Sequence, residues 1–173
     1  MQRTQTLKNI EKTFGENELI VSRTDTRGII EYCNKTFINI SGYPESELLG
    51  KPHSMIRHPD MPKAVFKLLW EYISSGKEIF AYVKNLCKGG EYYWVIAHVT
   101  ATYDDAGKII GYHSNRRSPK ADAVKKASAL YSELLQLERS ASSTTEGVNK
   151  AYETLIKITT AEGVDYNEFI LKI

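Results

Sequence analysis

The chain has 173 residues, 42% of them apolar, which is enough for one packed domain with an appendage and too apolar for a disordered segment. A net charge of +2 argues against nucleic acid or an acidic membrane surface as the partner. No apolar run approaches bilayer length, the polar stretch 1–12 has no secretory core, and Cys33 and Cys87 show no metal-type spacing. The expectation is a reduced, cytoplasmic protein without membrane insertion.

Taken in order, Thr4 to Phe14 reads as a short helix, with Leu7, Ile10 and Phe14 on one side and Gly15 as its stop. Leu19 to Thr24 and Ile29 to Cys33 read as two strands around the turn Asp25–Gly28, a β-hairpin. Asn34 is placed to cap a helix over Lys35 to Ile40, because its side chain can accept an orphan amide. Ser41-Gly-Tyr-Pro44 breaks that helix, and Glu45 to Leu49 adds another turn before Gly50.

Next comes Lys51-Pro-His-Ser-Met-Ile-Arg-His-Pro-Asp-Met-Pro62, with three prolines and two histidines. The prolines fix the backbone and remove amide donors, so this is a stiff polar loop: either a connector whose charges face water or a binding loop. A helix follows from Ala64 to Tyr72. Val65, Leu69, Tyr72 and Ile73 make one apolar stripe, and Phe66 and Trp70 a second. A helix apolar on two flanks is sandwiched, either by core on both sides or by a ligand on one.

From Glu78 the apolar period falls to two. Ile79, Ala81, Val83 and Asn85 share one face, Phe80 and Tyr82 the other. Lys88-Gly-Gly90 and Asp104–Gly107 turn the chain around a long strand, Tyr92 to Tyr103, and a last strand runs from Lys108 to Arg116. The order β-β-α-α-α-β-β-β specifies an α+β fold: a five-stranded antiparallel sheet with its helices on one face. The opposite face, with Trp94, Ile96, Phe80 and Tyr82, is an apolar patch that needs a cover. The N-terminal helix and a second copy of the chain are the expected covers, which makes a homodimer. Beyond Pro119, Val124, Ala127, Tyr131 and Leu134 mark one amphipathic helix, and Val148, Ala151, Leu155 and Ile158 another. Asp165 and Glu168 have capping-box spacing for a third. This C-terminal segment is either an interaction and output element or a helical hairpin packed on its own domain. The division is therefore a cap helix over 1–17, a sensor-sized domain over 18–118 and a helical extension over 119–173.

His53, His58 and Asp60 match no metal signature, and no nucleophile elbow or phosphate loop is present, so no enzymatic chemistry has a motif to rest on. Cofactor binding fits better. Arg57, His58 and His53 suit a phosphate, and the Phe66/Trp70 flank suits a planar ring. Asn85, a carboxamide on an apolar strand face, must find a partner, which a ring edge or a neighbouring backbone can supply. Asp60 can accept from Arg57 or a ligand hydroxyl, or cap the helix that follows.

Ile40-Ser-Gly-Tyr43, Glu47-Leu-Leu-Gly-Lys-Pro-His53, Ile56-Arg-His-Pro-Asp-Met-Pro-Lys-Ala64, Leu69-Trp70, Val83-Lys-Asn85, Tyr93-Trp-Val95 and Gly111-Tyr112 together resemble a PAS sensor domain. More narrowly, they resemble the flavin-binding PAS domain of bacterial aerotaxis receptors. The resemblance covers Glu18 to Arg117. It implies non-covalent FAD, read for its redox state. Arg57, His58 and Asp60 would line the flavin pocket from the loop, Asn34, Phe66 and Trp70 would bound it, and Asn85 would reach the ring edge. Relatives often carry a tryptophan before the Val-Lys-Asn element, where this chain has Ile79, a departure that bears on the grip for FAD. A haem-binding PAS gas sensor, with His53 or His58 axial, and a cofactor-free dimerisation module are the alternatives. Light-oxygen-voltage photochemistry needs a cysteine that is missing from the corresponding helix. The resemblance also implies a membrane-bound chemoreceptor-type signalling partner. A full-length chain would be the separate soluble PAS subunit of a two-protein energy-taxis system, and a shortened chain is the other possibility.

Overall fold

Alternating side chains build the sheet. A computed structural model describes residues 6–161 and 163–173. It contains β1 (Ile20–Asp25), β2 (Ile30–Cys33), β3 (Ile79–Leu86), β4 (Tyr92–Tyr103) and β5 (Ile109–Arg117) in the order β2-β1-β5-β4-β3. Every neighbouring pair is antiparallel. One face carries Ser22 and Thr24 of β1, Val83 and Asn85 of β3, Ala97 and Val99 of β4, and Ser114 and Arg116 of β5. Helices α1 (Lys35–Ser41), α2 (Glu45–Leu48) and α3 (Lys63–Ser74) lie between β2 and β3 in the chain, with a 3-10 turn over His53–Ile56. This is the expected α+β arrangement.

Asn34 caps α1 as anticipated, accepting from the Phe37 amide at 3.1 Å. The start of α3 differs. Asp60 does not cap it, and Pro62 at its N-cap has no side chain to do so. The missing acceptor is instead Glu138 of α4 (Ala121–Ser140), whose Oε1 takes the Ala64 amide at 2.8 Å.

The extension folds back on its own domain. Helices α4 and α5 (Thr144–Ala161) form a hairpin, and α6 (Tyr166–Lys172) begins at Asp165, which accepts from the Glu168 amide at 2.8 Å. The hairpin closes tightly at Gly147, where a Cβ would stand 2.4 Å from the Glu138 carbonyl oxygen. Helix α5 packs on α3 through Lys67–Asn149 at 2.9 Å and Tyr152–Glu71 at 2.5 Å. The sandwich expected for α3 thus has α5 on one flank, and its Phe66/Trp70 flank turned to the sheet.

Two expectations for the outer face need correction. Thr4 lies outside the described residues, but 6–14 is extended rather than helical. Lys8 and Lys12 donate to the carbonyls of Gly90 and Tyr92 at 2.8 and 2.7 Å, continuing the sheet beside the start of β4. β5 pairs with β4 only from Ile96 onward, so the Gly90 carbonyl and the Tyr92 amide and carbonyl have no partner in β5, and pairing with them outweighs a short isolated helix. The patch at Trp94 and Tyr82 is covered by α4 of the same chain. Tyr131 stacks on Trp94 at 6.3 Å and donates to the Tyr82 carbonyl at 2.7 Å.

β3 is an edge strand, and several of its outward backbone groups are taken up by other elements. Asn167 of α6 accepts from the Phe80 amide at 2.8 Å and donates to the Glu78 carbonyl at 3.0 Å. The His58 amide donates to the Lys84 carbonyl at 3.3 Å. No helix among the described residues is long and apolar enough to cross a membrane.

Candidate functional site

A cavity of about 310 Å³ lies between α3 and the inner sheet face. Phe66, Leu69, Trp70 and Ile73 form its helical wall, Val83, Ala97 and Val99 its apolar floor, and His53 and Arg57 its loop side. Its size and apolar lining suit a small-molecule head group. Trp70 is partly exposed, stands edge-on to Tyr112 at 5.5 Å and presses against Gly28. A Cβ at Gly28 would meet the Trp70 ring at 3.2 Å, and its φ of +80° also suits only glycine.

Charge in the cavity is unusual. Arg116, 2% exposed on the central strand β5, forms no ion pair with any described carboxylate. It donates to Ser22 Oγ and, at 3.2 Å, to His53 Nε2, and it stacks over Phe37 at 4.6 Å. Its Nε–H is buried with no acceptor. Burial lowers its pKa to about 10, which still leaves it charged near neutrality. Because Nε2 of His53 accepts from Arg116 and contacts Ser22 Oγ at 3.2 Å, the ring is neutral. Burial and the charges of Arg116 and Arg57 push its pKa down to about 3. Arg57 also has a buried Nε–H without an acceptor, and its guanidinium lies 3.5 Å from the centre of the Phe66 ring. Asn85, 3% exposed, lines the cavity, and its backbone bridges Arg57. Deeper still, the Tyr93 hydroxyl is within electrostatic reach of Asn85 and Arg116 but makes no hydrogen bond of normal geometry.

Five of the eight residues singled out in the sequence meet here: His53, Arg57, Phe66, Trp70 and Asn85. The other three do not. His58 is buried on the far side of β3, its ring 5.8 Å from Tyr92, and its Nδ1 accepts from the Asp60 amide at 3.1 Å. Burial and Lys84 lower its pKa, keeping it neutral. Asp60 bonds Lys84 Nζ at 2.7 Å, which holds its carboxyl below the usual range although burial opposes this. The turn after Arg57 sends alternate side chains to opposite sides of the β3 edge, which separates Arg57 from these two. Asn34 is fully used by the scaffold, accepting from Val21 and Phe37 and donating to the Leu19 carbonyl at 2.7 Å. Ile79 is buried in the core without lining the cavity, while Phe80 points outward and stacks on His98 at 4.2 Å. Neither cysteine lines the cavity, and burial raises both thiol pKa values, that of Cys87 to about 11.

Sequence reasoning missed Ser22 and Arg116. The signal was the two-residue period of β5, which puts Arg116 on the same face as Tyr112 and Ser114.

The pattern of the PAS fold matches residues 30–116. The chain belongs to the PAS-fold family. It is 38% identical over 121 residues to the aerotaxis receptor of Escherichia coli K12, covering 70% of this chain and 24% of the receptor. Identity to a blue-light-activated histidine kinase of Rhizobium johnstonii is 26% over 87 residues, which is 50% of this chain and 25% of the kinase. The chain thus spans about a quarter of these relatives. Among solved structures, the light state of the photoreceptor Aureochrome1 LOV superposes with a TM-score of 0.57 at 23% identity, over 62% of this chain and 87% of that one. An RNA-binding light-oxygen-voltage receptor gives 0.58 at 16% identity, over 72% of this chain and 36% of that one. Both have the same fold as the PAS domain of this chain.

Proposed function

We propose that this PAS domain is a redox sensor of the energy-taxis kind, which holds FAD in the cavity behind α3. It acts in the cytoplasm and passes the cofactor's redox state to a membrane-bound chemoreceptor-type partner. One observation carries the reading: a mostly apolar cavity of about 310 Å³ lined by one buried guanidinium, Arg116, and one half-buried guanidinium, Arg57, neither of which pairs with a carboxylate among the described residues. Burying such a charge is costly unless a ligand brings complementary acceptors. The similarity to the aerotaxis receptor adds the sensory context.

Bound flavin supplies reversible electron uptake. The chain's own residues would do the rest. Phe66 and Trp70 offer ring faces, Asn85 offers both a donor and an acceptor, and Arg57 with the exposed Arg27 offers positive charge to phosphates at the mouth. The cavity suits a tricyclic head better than a whole dinucleotide, which leaves the tail to the mouth. When a group opposite Asn85 changes protonation, its carboxamide must re-pair. It is carried by β3, whose edge also holds α4 and α6, so re-pairing biases their packing. Self-association would use Phe80, Ile96 and His98, which α4 leaves partly open.

The haem alternative needs an axial ligand, and among the described residues only His53 brings an imidazole to the cavity, with its Nε2 already occupied. The test is the absorption spectrum of purified protein from cofactor-replete cells, with chromatography of the released flavin. Flavin bands that bleach with dithionite, with FAD released, are expected. A Soret band or a colourless protein refutes the reading, and released FMN corrects the cofactor. Asn85→Ala should lose flavin or the redox response, and an unchanged variant would discard the role given to Asn85.

A further inference from the structure

Three positive side chains line the cavity, and they differ in depth. Arg27 is at the mouth, with its side chain 81% exposed and paired with Asp25 at 2.8 Å. Arg57 is in the loop wall. Arg116 is at the floor, on the central strand, where its Cα partner across the ladder is Ala97. That alanine is one of the smallest floor residues, and Arg116 lines the cavity beside it, with the Phe37 ring stacked on its guanidinium. Ser22 and His53 hold two of its nitrogens from the side, and Nε–H stays without an acceptor. Both holding groups are neutral. The site therefore fixes a full positive charge in place without neutralising it.

A phosphate tail at the mouth is served by Arg27 and Arg57, leaving Arg116 to face the head group. From this geometry we infer that Arg116 is a fixed counter-charge for the flavin ring, one that favours the ring in its reduced, negatively charged form. The inference rests on the flavin reading above. Two electrons from an external donor, a quinol or reduced nicotinamide, and one proton from water leave the ring with one negative charge, and no bond to the protein forms or breaks. The oxidised ring is neutral and gains less from the guanidinium, so the difference in binding appears as a raised midpoint potential. Ser22 and His53 are positioning residues in this scheme. They orient the guanidinium while leaving its charge intact.

The test uses flavin-loaded protein, titrated with dithionite against a reference dye. Arg116→Met should weaken the preference for reduced over oxidised flavin at least tenfold, a fall of about 30 mV for a two-electron couple. Arg116→Lys should keep most of the wild-type potential. Arg116→Gln, also neutral, replaces the methionine variant if that variant fails to load. A neutral variant that holds flavin at the wild-type potential overturns this inference alone, whereas wild-type protein that takes up no flavin overturns the reading beneath it. A second measurement needs no cofactor. Apoprotein carrying Arg116→Met should melt no lower than wild-type apoprotein, because it has lost an unpaired buried charge. A markedly lower melting temperature would make Arg116 a scaffold residue and overturn the proposal.

Discussion

His53→Gln should make the protein less sensitive to mild acid. In the native state His53 accepts from Arg116, and burial together with the positive charges of Arg116 and Arg57 lowers its pKa to about 3, against the 6.5 of an ordinary histidine. Between those values the unfolded chain binds a proton that the native state refuses, so stability rises with pH through this window and falls as pH drops. From pH 7 to pH 5 the linkage amounts to a loss of at most about 2 kcal/mol from this one group, because the half-buried ring lines a cavity that water can share. Glutamine has no proton to gain but keeps an acceptor for Arg116. Urea unfolding followed by circular dichroism, at both pH values and matched cofactor content, gives the comparison. His58 and the carboxylates contribute equally to both proteins and cancel. Wild type should lose about 1–2 kcal/mol more than the variant on going to pH 5. Equal losses would mean that His53 is freely protonated, and the Arg116–His53–Ser22 arrangement would be wrong.

Two further substitutions probe how the C-terminal helices grip the PAS domain. Glu138→Ala removes the carboxylate that takes the Ala64 amide at the start of α3 and should cost about 1–2 kcal/mol by urea unfolding, as for a lost helix cap. A cost of only a few tenths, typical of an exposed surface pair, would refute the docking. At Gly147, alanine would ordinarily stabilise a helix by about 1 kcal/mol, but its Cβ would stand 2.4 Å from the backbone of α4, and overpacking of that kind costs about 1–3 kcal/mol. Gly147→Ala should therefore lower the thermal midpoint, and a raised midpoint would show that the hairpin crossing is looser than described.

Most of the sheet was legible because its signals are local. Alternation located β3, β4 and β5, and Asn34 and Asp165 marked helix starts through their own side chains. The N-terminal segment failed for a non-local reason: its helical spacing lost to backbone groups at Gly90 and Tyr92, far away in the chain. The cover over Trp94 was equally hidden, since nothing near Tyr131 announces the Tyr82 carbonyl. At the site, His53, Arg57, Phe66, Trp70 and Asn85 converge because loop and strand order bring them together, whereas His58 and Asp60 differ from Arg57 only in the side of one strand edge. Arg116 went unnoticed because an arginine at the end of a strand ordinarily faces water. Only the covering of both sheet faces turns it into a buried charge.

The Asn167 side chain presents an acceptor and a donor to β3 much as a neighbouring peptide group would, but it belongs to a helix, so the ladder stops there. Another copy that sought to lengthen the sheet would first have to evict α6. Growth by strand addition, the usual route from an exposed edge to fibres, is opposed by the docked helix, with Lys84 as the single charged residue on the strand itself. Concentrated solutions should therefore tolerate this β-rich chain for as long as α6 stays docked, and conditions that detach it should bring turbidity before they bring loss of the sheet.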